Sequence, residues 1–465
     1  MRFFSLPVPP WLLLVVVISG WLCLSLSGCS GPVGSSRTET PRSPLSGTEA
    51  EATAALGATA VTSGSVMAGT EPTSQPALQA QASPAREITL TVWTTEAFSP
   101  LQDDFASQVL RQQVADFEAQ EPKTSVQFTL KKPYGQGGMY DFLQTTHAIV
   151  PERLPDVAIV DVTDLSSLVS QGIVRPLDNL IAEEVREDLF PFARQTCTVE
   201  GSLFCLPFEA DLLHAAFNSE LTDLPPLTWS EVLSSTLSYA FALNDQSGER
   251  VTPSFWLQYL ALRDAKTEGR QDFSLERGLL VEVLDFYYRG VEAGSIPKSV
   301  LGYQTEADAW AAYLSRQISM VDVSSSRYMS NRPSLRGTGF TAVPTRDGRA
   351  LSLARVWALV VVADKPDRQE AAARFIEWLL RPEHNGEWTR AANWLPAARQ
   401  SLADWGQSDP YISFCAGLLE QAEPYPAGPS FDVTSRRLQR GLRDVLAGAA
   451  SPVEVAEQVV SIVNK

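Results

Sequence analysis

From Glu87 onward the chain alternates between two kinds of apolar pattern. Ile88-Thr-Leu-Thr-Val-Trp93 switches apolar and polar residues at period two and is rich in β-formers, which predicts a strand. Asp103 to Gln120 then sets Phe105, Val109, Leu110, Val114 and Phe117 at helical spacing. A second strand is predicted over 125–130 and a helix over 139–148. Asp156-Val-Ala-Ile-Val160 is a continuous apolar run, as expected of a parallel strand buried on both faces. Strands alternating with helices predict an α/β sheet. The middle of the chain turns helical. Thr228-Trp-Ser-Glu231 has the form of a capping box, and 254–264, 274–293 and 305–316 are amphipathic. Strands return at 318–323 and 351–362. Helices are then predicted over 367–380, 411–420, 431–446 and 451–463.

The first 86 residues carry no such periodicity. Arg2 followed by the apolar run 11–26 (WLLLVVVISGWLCLSL) has the layout of an export signal, too short for a membrane-spanning helix. Leu26-Ser-Gly-Cys29 resembles a bacterial lipobox, which implies a signal peptide over 1–28, cleavage before Cys29 and lipidation of its thiol. Two or more acyl chains suffice for stable anchoring. Ordinary cleavage and secretion, or an uncleaved helix, are the alternatives. Residues 30–86, rich in Ser, Thr, Ala, Gly and Pro, cannot bury enough apolar surface to offset their conformational entropy, so 29–86 is expected to be a lipidated tether.

Composition narrows the function. Of 465 residues, 37 are Lys or Arg and 54 Asp or Glu, a net charge of −17, which argues against nucleic acid or an anionic membrane surface as partner. Cleavage would remove Arg2 and no acid. Three histidines without ligand spacing predict no metal site, and no P-loop, HExxH or GxSxG occurs. No cofactor is expected, nor an enzyme. Cys197 and Cys205 flank Glu200-Gly201, a hairpin turn signal. A three-residue loop would set them opposite each other for a disulfide; a two-residue loop would not.

Five stretches in order look familiar: ITLTVWTTEAF (88–98), LPDVAIVDVTDLSSLVSQGIVRPLDNLI (154–181), GSLFCLPFEADLLHAAFNSELT (201–222), AWAAYLSRQISMVDVSSSRY (309–328) and WALVVVADKPDRQEAAARFIEWLLRPEHNGEWTRAANWLPAARQSL (357–402). Together they resemble the family 1 extracellular solute-binding proteins of ABC importers, the group that includes maltose-binding protein. The resemblance implies an α/β, two-lobed periplasmic-binding-protein fold of type II, its lobes joined by a hinge with several chain crossovers. It places 87–208 and 319–375 in the first lobe, and 209–318 and 376–465 in the second. It further implies a monomer in the bacterial cell envelope, outside the cytoplasmic membrane. Such a protein captures a sugar or oligosaccharide and delivers it to permease transmembrane subunits. A non-sugar solute (a polyol phosphate or a polyamine) and a carbohydrate-active enzyme built on Glu209 and Asp211 are the alternatives.

A sugar needs aromatic rings for its C–H faces and carboxylates or amides for its hydroxyls. In this fold such groups sit at strand ends. Trp93 and Glu96 follow the first strand. Asp161 and Thr163 follow the third, with Asp164 read as a helix cap. In Pro207-Phe-Glu-Ala-Asp211, Glu209 and Asp211 share a face if the segment is extended. Asp211 matches an acidic ligand-binding position of the maltose-binding relative; a salt bridge across the hinge is its alternative role. Ser325 and Arg327 open a helix after a strand, where the family often has Gly and Trp. Trp357 lies on the last central strand, and Trp394 stands where the family often has an aromatic residue. These ten residues are the candidate ligand-binding set.

Overall fold

The computed structural model describes residues 87–263, 275–406 and 408–463. The export signal, Cys29 and the tether lie outside these residues.

Eleven strands are described: β1 Ile88–Thr94, β2 Thr124–Leu130, β3 Val157–Asp161, β4 Thr198–Val199, β5 Ser202–Leu203, β6 Leu206–Asn218, β7 Tyr239–Ala240, β8 Met320–Ser324, β9 Thr338–Thr341, β10 Leu353–Val361 and β11 Glu423–Pro424. Nine of them form one sheet in the order β2-β1-β3-β10-β6-β8-β7, with β11 added to β10 and β9 to β6. β1, β2 and β3 are parallel, whereas β10 runs antiparallel to both β3 and β6.

The sheet has two halves, and β6 belongs to both. Its residues Leu206 to Leu212 pair with β10. From Leu213 to Phe217 it pairs with β8, and from Ala215 to Asn218 with β9 on its other edge. Twelve of its thirteen residues are buried, Leu213 being the exception. A strand covered on both faces shows no alternation, so the sequence pattern marked only a short extended stretch here. β10 carries a bulge between Trp357 and Ala358, and the Trp357 N–H freed there donates to Glu209 Oε1 at 2.8 Å.

Two segments pair or pack with a different half of the sheet from the one their expected lobe would suggest. β8, assigned with 319–375 to the first lobe, pairs instead with the far half of β6 and with β7. The chain returns to the first half only at β10. The helix Pro382–Ala392, assigned with 376–465 to the second lobe, packs on Phe105–Gln120 of the first half. The terminal helices Pro429–Ala447 and Pro452–Val463 do pack on Arg277–Ala293 of the second half.

Cys197 and Cys205 form a disulfide, with Cα atoms 5.0 Å apart. The hairpin loop nonetheless has two residues: Thr198 pairs with Leu203 and Val199 with Ser202. Glu200 (φ 51°) and Gly201 (φ 87°) both take the left-handed conformation that such a turn demands. The loop-length rule fails because Cys197 ends the helix Pro191–Cys197 rather than extending the strand. The pair is therefore not bound by ladder register. Cys415 is free and buried.

Removing this bridge frees the entry to β6. Cys197→Ser/Cys205→Ser is expected to lose about 2–3 kcal/mol of stability, the chain-entropy figure for so short a loop, measured by urea unfolding. Reductant should do the same to the wild type and nothing to the variant.

Candidate functional site

The first half contributes an aromatic wall. After β1 a short 3-10 turn, Glu96–Phe98, is held by Thr94 Oγ1 donating to the Phe98 carbonyl at 2.8 Å. Phe98 packs on Trp357 (5.2 Å between centroids), Trp388 (5.9 Å) and Trp394 (6.0 Å), and Tyr134 packs on Trp357 at 5.7 Å. Asn393 ends the helix Pro382–Ala392 in the left-handed conformation (φ 60°), after which Leu395 pairs with Ala210 of β6. That turn sets Trp394 on the wall, half-buried.

Behind the wall sits a buried ion pair. Arg355 Nη2 donates to Asp161 Oδ2 at 2.5 Å and to Tyr134 Oη at 2.7 Å, and the Tyr134 hydroxyl donates to Asp161 at 3.0 Å. Thr163 N–H and Oγ1 donate to the other Asp161 oxygen. Burial by itself would raise the Asp161 carboxyl, but the Arg355 guanidinium outweighs it and holds the group below its usual range. Asp161, not Asp164, is thus the residue whose side chain caps the segment after β3. Burial, with Asp161 alongside, pushes Asp164 up to about 7.

Two cavities line the gap between the halves, with Gln246 in the walls of both. The first, of about 630 Å3, lies along the aromatic wall and includes Glu96, Lys131, Tyr134, Trp357 and Trp394. The second, of about 320 Å3, lies at the crossover. Asp211, Leu353, Arg355 and Tyr425 line one side, and Asn244, Asp245, Glu306, Asp322 and Arg327 the other.

The ten expected residues divide accordingly. Glu96, Trp357 and Trp394 line the aromatic cavity, and Asp211 and Arg327 the crossover cavity. The other five line neither. Trp93 points to the helix-covered face of β1, edge-on to Phe142 at 6.3 Å and beneath the Lys131 ammonium at 4.3 Å. Asp161 and Thr163 are engaged in the ion pair and its cap. Glu209 is fully buried at the β10 bulge, and burial, with Asp211 nearby, pushes its carboxyl well above the usual range. Ser325 Oγ accepts from Leu212 N–H at 3.0 Å and donates to Asp211 at 2.8 Å. Asp211 also accepts from Ser326 N–H and Oγ, so it ties β6 to the start of the helix Ser325–Asn331. No salt bridge spans the crossover at Asp211 among the described residues. Burial and Glu306 push its carboxyl up to about 6. Arg327 pairs with Glu306 at 3.2 Å.

Sequence reasoning missed Phe98, Tyr134, Asp245, Gln246, Glu306, Asp322 and Tyr425. Tyr134 follows a parallel strand, so the strand-end rule applied to Trp93 could have found it. Asn244-Asp-Gln-Ser-Gly248 is a turn signal. Asp322 is an acid inside an otherwise apolar strand. Burial pushes its carboxyl up to about 7. Nothing in the sequence marks Tyr425.

Comparison with known proteins follows this geometry. A family profile described as bacterial extracellular solute-binding protein matches residues 112–413. The chain is 20% identical over 328 residues to a chain of Brucella abortus (strain 2308) named only as a binding protein, covering 66% of this chain and 78% of that one. Among solved structures it resembles the cyclic α-maltosyl-1,6-maltose binding protein of Arthrobacter globiformis (TM-score 0.65, 19% identity, 81% of this chain and 98% of that one). It likewise resembles the sugar-binding protein MalE of Xanthomonas citri (TM-score 0.65, 17% identity, 81% and 96%). At these identities the structural likeness speaks for the two-lobed fold.

Two measurements check the electrostatics. Asp161→Ala leaves Arg355 buried and uncompensated, and should cost about 3–5 kcal/mol in denaturant unfolding. Asp322 holds its proton more tightly folded than unfolded, so its ionisation costs stability as pH rises from about 4 to about 7. Relative to Asp322→Asn, the wild type should therefore be most stable at the acid end of that window and lose the advantage by its alkaline end.

Proposed function

The chain belongs to the family of bacterial extracellular solute-binding proteins, and on that premise we propose that it captures a carbohydrate outside the cytoplasm and delivers it to the membrane subunits of an ABC importer. The observation that carries the sugar reading is the wall of Tyr134, Trp357 and Trp394 on one half of the sheet, with Gln246 across the gap on the other. Rings offer flat apolar area to the C–H faces of a sugar at small entropic cost, and the amide exchanges hydrogen bonds with its hydroxyls. The names of the neighbours from Arthrobacter and Xanthomonas, and of a maltotriose-binding protein of Pyrococcus abyssi that is 25% identical over 101 residues, support the same class.

The two halves act as lobes. The first comprises residues from Glu87 to Leu212 and the return through β10 and the helices after it. The second comprises Leu213 through β9 and the two terminal helices. A solute touching both lobes favours their closure, because only differential contact shifts such an equilibrium. Lipidation of Cys29, with 30–86 as tether, would keep a monomeric body near its permease. Among the described residues no helix is long and apolar enough to cross a membrane. Glu209, sealed at the bulge, is unavailable as one of a glycosidase's two carboxylates, which weighs against the enzyme alternative.

Malto-, cello- and xylo-oligosaccharides are expected to raise the melting temperature by an amount that grows with the logarithm of concentration over dissociation constant and to be recovered unchanged. Trp394→Ala, at a half-buried position, should weaken binding about tenfold or more with a smaller effect on stability than Trp357→Ala. If no saccharide moves the melting temperature, the carbohydrate reading fails.

A further inference from the structure

The crossover cavity holds polar groups that the aromatic wall does not need. Asp322 is 3% exposed; its Oδ2 accepts from the Tyr239 hydroxyl at 2.7 Å and the Ser254 hydroxyl is a second polar neighbour, but its Oδ1 makes no well-formed hydrogen bond among the described residues. Tyr425, 8% exposed, lines the same cavity, and its hydroxyl is likewise buried and unpartnered. Asp245 is a third member, buried, accepting from Ser247 N–H and Oγ and 4.0 Å from the Arg250 guanidinium.

Charge around this cavity does not balance. Four acids line it: Asp211, Asp245, Glu306 and Asp322. Two arginines do too: Arg327 is paired with Glu306, and Arg355 gives its Nε and Nη2 donors to Asp161 and Tyr134 while its charge also acts on Asp245, which Arg250 meets at 4.0 Å. Among the described residues Asp322 is left without a cation. Burying an uncompensated acid is costly unless a partner meets it, and a cationic N–H donor makes a stronger bond to a carboxylate than a neutral hydroxyl does. A metal ion is a poor fit, since no three acid, His or Cys side chains among the described residues converge as a ligand set.

We propose that the solute is a saccharide bearing a basic nitrogen, whose ammonium group sits in the crossover cavity against Asp322, Asp245 and Tyr425 while its rings lie on the aromatic wall. The proposal rests on the carbohydrate reading above and names its chemical class. The ammonium offers N–H donors to Asp322 Oδ1, to Asp245 and to the Tyr425 oxygen. Gln246, common to both cavities, spans the junction between amine and ring.

The test is calorimetric titration at neutral pH with matched malto- and cello-oligosaccharides that carry a hydroxyl, an acetamido or a free amino group at the same carbon. The amino members should bind at least about tenfold more tightly than the hydroxyl and acetamido members of the same series. Asp322→Asn should collapse that ratio to about one; Asp245→Asn, which keeps its size, serves if the first variant does not fold. Equal or tighter binding of the neutral members overturns the amine proposal and leaves the carbohydrate reading standing. An amino preference that survives in a folded variant overturns the assignment to this cavity. If no member of either series binds, the carbohydrate reading fails and the amine proposal falls with it.

Discussion

The architecture of this molecule depends on one strand serving both halves of the central sheet. Residues Leu206 to Asn218 run thirteen positions without a break, and their hydrogen bonds change partner at Leu212–Leu213. Such a strand must be buried nearly throughout, yet it carries Glu209, Asp211, His214 and Asn218. Asn218 accepts from the Glu220 N–H two residues on, and the other three are each met by a group from elsewhere in the chain. Glu209 takes the N–H released at the β10 bulge. Asp211 takes the serines that open Ser325–Asn331. His214 lies 3.0 Å from the Tyr411 hydroxyl, and burial pushes its imidazole down to about 4, so it is neutral. These bonds answer the cost of burying polar groups, and they fasten three distant segments to the crossover.

The acids of the central region fall into two kinds, and the difference separates scaffold from site. Asp161 and Asp211 spend their oxygens on Arg355 and Thr163 and on a helix start, and Glu209, which gives one oxygen to a backbone N–H and keeps the other unpartnered, is sealed away from both cavities. Asp322 and Asp245 lie across the gap, where one oxygen of Asp322 is left over. The same contrast holds for the rings. Trp388 is packed away and Trp93 lies on the helix-covered face of β1, whereas Trp357 and Trp394 line the cavity between the halves. Chemistry that could bind a solute is what the framework has not consumed.

That distinction explains how far the sequence could be read. Helices with a clear period, such as 105–120 and 452–463, and the unbroken apolar run at 157–161 lie within a few residues of where their patterns put them. β6 did not, because burial on both faces erases period two. The pairing of β8 with the far half of β6 and the packing of 382–392 on 105–120 could not be read either, since contacts between distant parts of the chain leave no local mark. Among the candidate site residues at strand ends, some line a cavity and others turn inward. A strand-end acid can face the gap or turn inward to an arginine, and only the partner, Arg355 on a distant strand, decides. Asp322 and Tyr425 were missed because a lone acid in an apolar run and a tyrosine in a proline-rich turn carry no spacing signal.

The position of β10 has a further consequence, for the order in which the molecule is made. β10 separates β3 from β6, and Arg355 meets Asp161 across 194 residues of chain. Until residues beyond 361 exist, β3 and β6 have no strand between them, and Asp161 is an acid without its cation. The first half, although it begins at Glu87, therefore cannot close from its own N-terminal segments. Loop closures of this length make folding slow. The growing polypeptide stays open-edged until nearly four-fifths of it has been synthesised, a long interval in which a translocation machine, or a chaperone, can engage it before any cleft exists.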